Sequence, residues 1–162
     1  MPLDGERPTE RDAAIVEELI GRTPQGDYTI VVRSRTGEPV VLMNSPLMPD
    51  GKPMPTLYWL VGRTEVPAVS RIEADGVIDR VEELIGLDAI SRIHDAYEAR
   101  RDALIPAGHT GPRPSAGVGG TRRGVKCLHA HLANWLAGND DAVGEWVAAR
   151  MDERGDTRAE RA

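Results

Sequence analysis

Hydrophobic and polar positions along this chain follow two different periods. Between residues 27 and 61, apolar and β-branched residues form short runs separated by Gly, Pro and Asp, which is typical of strands. On either side of this region, apolar residues recur at intervals of three and four, which is typical of helices with one buried face. The pattern therefore predicts an α+β fold, in which a small antiparallel β-sheet (residues 27–61) packs against several α-helices (residues 65–151).

The predicted elements follow from the limits of these runs. The predicted strands cover residues 28–33, 39–43 and 56–61, with a hairpin turn at residues 34–38. Thr9 or the residue after it caps the first helix, with Asp12 three residues after Thr9, and Gly21 ends it. The next helix is predicted over residues 66–75, with Thr64 as its cap. Residues 77–105 are predicted to form one long helix, or two helices broken near Gly86. The last two helices are predicted over residues 125–137 and from Asp140 or Asp141 to Met151.

The length of 162 residues favours one domain with loose ends. Residues 1–8 contain two prolines, a glycine and several charges, so they are expected to be a disordered lead-in. Residues 9–151 form the single α+β domain. Residues 152–162 are mostly charged and are expected to be a disordered tail.

Composition narrows the range of partners. A net charge of −6 disfavours general nucleic-acid binding, because an acidic chain repels the phosphate backbone. The chain has no run of about eighteen apolar residues, so no membrane partner is expected. The N-terminus also lacks the pattern of a signal peptide. Cys127 is the only cysteine, so an intramolecular disulfide is excluded and a reducing, cytoplasmic location is expected. The chain has no Phe, which favours Tyr58 and Trp59 as core residues over an aromatic pocket lining.

A glycine-rich, basic segment at residues 115–126 is the first candidate binding site. Glycine backbone approaches a ligand closely, and amide groups together with cations hold anions well. The segment departs from a phosphate-binding P-loop, since Val125 separates Gly124 from Lys126 and no strand precedes it. We expect it to bind a small phosphate- or carboxylate-bearing ligand or an acidic segment of a partner. The candidate ligand-binding residues are Gly117, Gly119, Gly120, Arg122, Arg123 and Lys126.

A thiol and two imidazoles follow this segment. In a regular helix from Val125, Cys127 and His131 share a face, while His129 points nearly the opposite way. Cys127 and His131 would then supply only two metal ligands, and a zinc site needs at least three, so no metal site is predicted. A free cysteine is also commonly a small buried apolar residue.

Nucleophilic catalysis is the alternative function. The start of a helix and the neighbouring cations would favour the thiolate of Cys127, and a carboxylate such as Glu73 or Asp95 could orient the base. The candidate catalytic residues are Cys127, His131 and His109. The residues themselves leave open whether the protein is a binder with an inert thiol or a hydrolase or transferase, and they assign no cofactor.

Three motifs carry a resemblance to a known family. The segments are Pro55–Leu60 (PTLYWL), Arg71–Glu73 (RIE) and Arg123–His131 (RGVKCLHAH). From about residue 21 to about residue 151 the chain resembles the bacterial, mainly actinobacterial, domain-of-unknown-function family 501. The resemblance implies an uncharacterised cytoplasmic protein whose gene often lies near those for a septum-formation initiator and an exopolyphosphatase, and hence a partner related to cell division or polyphosphate.

One position departs from the family pattern. Family members often carry Cys-Pro-Cys-Gly between the first two strands, whereas this chain has Ser34-Arg35-Thr36-Gly37. A metal role that needs those cysteines is therefore not expected here.

Overall fold

The computed structural model describes residues 3–162, and its six helices and three strands confirm the predicted α+β class. The strands are β1 (Tyr28–Arg33), β2 (Pro39–Asn44) and β3 (Tyr58–Leu60). The helices are α1 (Glu10–Ile20), α2 (Glu65–Ala74), α3 (Ile78–Ile85), α4 (Leu87–Asp102), α5 (Leu128–Leu136) and α6 (Ala142–Glu153). None of these helices combines the length and the apolar character needed to cross a membrane.

The strands form one antiparallel sheet in the order β1-β2-β3. In this register Leu42 of β2 lies between Ile30 of β1 and Trp59 of β3. Every residue of β2 is buried, because the central strand is covered on both faces. The third strand is shorter than predicted, since it covers residues 58–60 and not 56–61.

Side chains on the two faces of the sheet belong to different cores. On one face Val16 of α1 packs with Ile30, Leu42 and Val61. On the other face Met43, Tyr58 and other strand residues join a larger core built mainly by α2 and α4–α6. The alternation of side chains along a strand produces this division.

Two helix boundaries agree with their sequence signals. At α1, the Thr9 hydroxyl accepts a hydrogen bond from the Asp12 amide at 3.1 Å, and the Asp12 carboxylate accepts from the Thr9 amide at 2.9 Å. Gly86 adopts a φ of 90° between α3 and α4, so the helical region is broken into two helices there. At α2, however, Thr64 gives no side-chain cap, because its hydroxyl donates to the Glu65 carboxylate at 2.7 Å.

Two buried side chains of α4 hold the long loop between α4 and α5. The guanidinium of Arg101 is fully buried and donates to the backbone carbonyls of Pro55 (3.2 Å) and Ala116 (2.7 Å). Nδ1 of His94 accepts from the Val118 amide at 3.0 Å, where the loop makes a short 3-10 turn (Val118–Gly120). A Cβ on Gly117 would come within 2.5 Å of the His94 Cβ, so only glycine fits at that point. The loop is therefore a fixed wall of the domain.

The segment after α6 is not the predicted disordered tail. Ala159 is only 2% exposed, and its amide donates to the buried carboxylate of Glu65 at 3.0 Å. The Ala162 amide donates to the Leu136 carbonyl at 2.8 Å. Charged composition suggested disorder, but the charges are paired in the fold, as in the contact between Arg158 and Asp152 at 2.8 Å.

The predicted lead-in is also attached to the domain. Glu6 forms a backbone bridge with Ile30 of β1, through hydrogen bonds of 2.9 Å and 2.8 Å. Its side chain pairs with Arg33 at 2.9 Å. Residues 1 and 2 of the predicted lead-in lie outside the described residues.

Candidate functional site

Helix α5 begins at Leu128, three residues later than predicted, and this shift changes which histidine lies beside Cys127. Cys127 is the residue before the helix and has an extended backbone, with φ −142° and ψ 114°. The rotation of 100° per residue therefore does not reach Cys127, and the predicted shared face of Cys127 and His131 does not exist. Cys127 lies beside His129 instead.

A carboxylate of α2 completes a cluster of three side chains. Glu73 Oε1 lies 2.8 Å from His129 Nδ1, and Glu73 Oε2 accepts from the Leu128 amide at 3.1 Å. One imidazole nitrogen of His129, Cys127 Sγ and a Glu73 carboxylate oxygen all lie within 4.8 Å of one another. We call these three residues the Cys-His-Glu cluster.

The contacts of the other imidazole nitrogen, Nε2, indicate which nitrogens of His129 carry a proton. Its Nε2 lies 3.1 Å from the backbone carbonyl of Val66 and 3.1 Å from Ser70 Oγ, both on α2. A carbonyl only accepts, so Nε2 carries a proton, and a carboxylate at Nδ1 favours a second proton there. Burial by itself lowers the pKa of His129, but the Cys127 thiol, the charge of Glu73 and the Val66 carbonyl outweigh it and raise the pKa.

The pKa of Cys127 moves in the opposite direction. Burial by itself raises the pKa of the thiol. The neighbouring imidazole of His129 and the Ala130 backbone amide outweigh burial, and they lower the pKa of the thiol below its ordinary value. The two shifts together favour a thiolate beside an imidazolium.

The thiol and the imidazole open into a pocket of about 550 Å³. Its apolar wall consists of Met54, Pro55, Trp59, Val66 and Ala130. The backbone of Gly119 and Gly120 forms another part of the lining, and Arg22 lies at its edge. A larger groove of about 720 Å³ lies between α3 and α4, but its lining carries four carboxylates against one arginine and includes neither a thiol nor an imidazole. The pocket at Cys127 is therefore the candidate functional site.

The glycine-rich segment uses its amides within the protein. The Gly117 amide donates to the Thr121 carbonyl at 2.9 Å, the Gly120 amide to the Gly117 carbonyl at 3.1 Å, and the Val118 amide to His94. Gly119 and Gly120 line the pocket, whereas Gly117 is buried against His94. The predicted nest of free amides therefore does not form at these three positions.

The three predicted cations of the segment stand apart from the pocket. Arg122, Arg123 and Lys126 are exposed, and none of them makes an ion pair within residues 3–162. None of them belongs to the lining of the pocket at Cys127. They contribute positive charge to the neighbouring surface, without a direct contact to the thiol.

Neither imidazole predicted as a base joins the cluster. His131 is fully buried, and its Nδ1 lies 2.8 Å from the Asp141 carboxylate in the joint between α5 and α6. Nε2 of His109 lies 2.9 Å from the Pro112 carbonyl in the loop after α4. His129, and not His131 or His109, is the imidazole that lies beside Cys127, and Glu73, one of the two carboxylates predicted to orient a base, contacts it.

A signal for His129 exists in the sequence. The apolar residues of α5 that follow helical spacing start at Leu128, and continue at Leu132 and Leu136. Cys127 directly precedes this run, which is the position of a helix cap. If the helix starts at Leu128, Cys127 lies outside it, and helical geometry no longer places Cys127 and His129 on opposite faces.

The cluster also contains donors that suit a metal ion. A sulfur, an imidazole nitrogen and a carboxylate oxygen match the ligands of a zinc site that keeps one open position. The contact between Nε2 of His129 and the Val66 carbonyl is of the kind that orients metal-binding imidazoles. The distance of 2.8 Å between His129 Nδ1 and Glu73 Oε1 is that of a charge-assisted hydrogen bond. A proton and a zinc ion would therefore compete for the same space.

Fold and site together define an α+β domain with a thiol and an imidazole at one pocket, and a carboxylate outside the pocket lining that contacts the imidazole. Residues 30–149, well over half of the chain, match the family described as "Protein of unknown function (DUF501)". The chain belongs to this family, as its motifs predicted, and the match includes the whole Cys-His-Glu cluster. Comparisons with curated proteins and with solved structures give no match.

Proposed function

We propose that the protein is a cysteine-dependent hydrolase or transferase that acts on an acyl group, with Cys127 as the nucleophile. One observation carries the proposal: Cys127 faces a pocket beside His129, and Glu73 holds that imidazole. A thiolate attacks acyl carbon well, and a thiol, a base and an orienting carboxylate are the parts that such enzymes use. His129 is the acid and base, and Glu73 is a positioning residue.

The reaction has two balanced halves. The Cys127 thiolate attacks the acyl carbon and forms a C–S bond, while the bond to the leaving group breaks and the imidazolium of His129 gives that group a proton. The neutral imidazole then takes a proton from water, or from an acceptor in a transferase, as this second nucleophile attacks the thioester. The C–S bond breaks, and the thiolate and the imidazolium are restored.

Backbone donors near the thiol support this chemistry. The amides of Cys127 and His129 donate to no acceptor within residues 3–162. Such amides are available to an oxygen that gains negative charge during attack, as in the oxyanion sites of acyl-transfer enzymes. They also lie at the start of α5, where the helix dipole favours negative charge.

The earlier hypothesis of an anion-binding segment at residues 115–126 has weaker support. Its amides at Gly117, Val118 and Gly120 already have protein acceptors, and only its exposed cations favour an anion. These cations would instead attract anionic substrates toward the neighbouring pocket. A free reactive thiol fits a reducing compartment, so the proposal places the protein in the cytoplasm.

Alkylation by iodoacetamide tests the proposal directly, because Cys127 is the only thiol in the chain. The rate is measured against pH for the native protein and for His129→Asn, Glu73→Gln and the control His109→Asn. We expect the native thiol to react with a midpoint below the ordinary value of about 8.5. His129→Asn should raise the midpoint, Glu73→Gln should change it, and His109→Asn should leave it in place.

Two results would overturn the proposal. A native thiol that titrates like a free cysteine, with no response to His129→Asn, would show that the thiol is not activated. Stoichiometric zinc in the purified protein, with alkylation only after a chelator is added, would show that the cluster is a metal centre. Elemental analysis before the alkylation series separates these two results.

A further inference from the structure

Resting on this proposed function, we infer that the pocket binds a small anionic substrate with a planar apolar group, its carboxylate or phosphate held at Arg22. Arg22 takes the anion-binding role that was expected of Arg122, Arg123 and Lys126. The charge of the lining, the placement of Arg22 and the apolar wall of the pocket all favour this class of substrate.

The lining of the pocket is positive although the protein is acidic. Arg22 faces the pocket, the imidazolium of His129 is offset by the thiolate of Cys127, and no carboxylate belongs to the lining, so the guanidinium leaves a net positive charge. Arg22 is exposed and forms no ion pair within residues 3–162. In a chain with a net charge of −6, an unpaired guanidinium in a pocket without carboxylates favours an anion there.

Trp59 holds Arg22 in position. The Cζ atom of Arg22 lies 5.4 Å from the centre of the Trp59 ring, which is a cation-π contact. Trp59 is only partly buried on the sheet, so part of its ring belongs to the pocket wall. The guanidinium therefore lies beside an aromatic surface, and its N–H groups can pair with both oxygens of a carboxylate or phosphate.

Much of the remaining lining suits an apolar group of limited size, and the polar residues Asn44, Thr56 and Tyr58 complete it. Met54, Pro55, Val66 and Ala130 give side chains without charge, and the volume of about 550 Å³ is that of a small-molecule site. A planar ring packs against an indole and a flexible thioether with little cost in conformational entropy. Inorganic phosphate alone would satisfy Arg22 but leave this wall empty.

Protection of Cys127 from iodoacetamide tests the inference. The probes are phenyl phosphate, benzoate, inorganic phosphate and benzyl alcohol, each at the same concentration. Phenyl phosphate or benzoate should slow alkylation at least about fivefold more than inorganic phosphate or benzyl alcohol, since only the aromatic anions use both parts of the pocket. The first two probes distinguish a phosphate from a carboxylate. Equal protection by all four would overturn the inference.

Arg22→Gln tests the named cation, with Arg11→Gln on the exposed face of α1 as the matched control. Arg22→Gln should abolish the preference for the aromatic anions over benzyl alcohol, and Arg11→Gln should preserve it. Arg22 is exposed, so this variant is expected to fold. A preference that survives Arg22→Gln would contradict the role of Arg22.

Cys127→Ser separates this inference from the proposed function. If phenyl phosphate or benzoate raises the melting temperature of Cys127→Ser while the native thiol proves unreactive, the substrate class stands and thiol catalysis fails. If the native thiol is activated but no aromatic anion protects it or stabilises Cys127→Ser, the substrate class fails and thiol catalysis stands.

Discussion

At the scale of single residues, three histidines within one region have different roles because their surroundings differ. His94 is buried, and its Nδ1 and Nε2 contact backbone groups of Val118 and Gly124. His131 is buried and pairs with Asp141. His129 is partly exposed at a pocket, and it contacts both a thiol and a carboxylate. Only His129 combines access to solvent with the contacts that acid-base chemistry needs.

Protonation of His94, which holds the loop between α4 and α5, is expected to lower the stability of the protein as the pH falls. Burial lowers the pKa of His94, because a charged imidazole is poorly solvated there. The unfolded chain then binds a proton below about pH 6.5 while the folded protein does not, so stability falls with decreasing pH. The advantage in unfolding free energy of the native protein over His94→Gln should therefore shrink between about pH 7.5 and pH 5.

Urea denaturation at a series of pH values measures this difference. The comparison with a variant is needed because His129, whose pKa is raised, acts in the opposite direction: its contribution is complete at low pH and is lost as the pH rises. His109→Gln, which removes an imidazole from the loop after α4, is the control variant. An advantage that stays constant or grows in acid would contradict a neutral His94.

At the scale of elements, the joint between α5 and α6 depends on one side chain. The Asp141 carboxylate caps α6 by accepting from the Gly144 amide at 2.9 Å, and it also accepts from Asn134 at 2.9 Å and contacts His131. All of these groups are buried. The cap is therefore also the hydrogen-bond partner for two polar side chains of α5, the helix that presents the site.

Asp141→Ala should destabilise the protein much more than loss of an ordinary cap. It removes the cap and leaves buried polar groups of His131 and Asn134 without a partner, which costs about 3 kcal/mol. Thr9→Ala removes the exposed cap of α1 and should cost about 1 kcal/mol. The unfolding free energies from urea denaturation measure both values. Similar costs for the two variants would show that the buried network adds nothing to the cap.

The same elements show what local signals can predict. The sequence predicts a cap at Thr9 or the next residue and offers a break near Gly86 as one of two alternatives, because both signals lie within one turn. It predicts the start of α5 three residues too early, because the glycines and cations before Leu128 give no clear cap. This shift of the helix start changes which imidazole lies beside the thiol of Cys127, because the face on which a side chain lies depends on where the helix begins.

At the scale of the whole molecule, the segment after α6 ties α2 to α5. The amide of Ala159 contacts Glu65 at the start of α2, and the guanidinium of Arg161 lies 5.1 Å from the ring centre of Trp135 on α5. This segment therefore supports both helices that supply the Cys-His-Glu cluster. Sequence composition alone predicted disorder there, because it does not show which charges find partners.

Ala159→Glu should destabilise the protein by about 3 kcal/mol, because it places a second carboxylate beside the buried carboxylate of Glu65. Ala149→Glu on the exposed side of α6 is the matched control and should change stability by less than about 0.5 kcal/mol. Thermal and urea unfolding measure both. Equal stability of the two variants would mean that the segment does not pack against the domain.

The sequence by itself determined the class of fold, most of the elements and the family, because these depend on hydrophobic period, local caps and short motifs. It also identified Cys127 and Glu73 as candidate residues for chemistry. Only the tertiary structure decided that Glu73 of α2 meets His129 of α5, and that Arg22 shares a pocket with Cys127 and His129. The physical reason is that such contacts depend on how helices pack and where they begin, and side chains from distant parts of the chain meet only after packing.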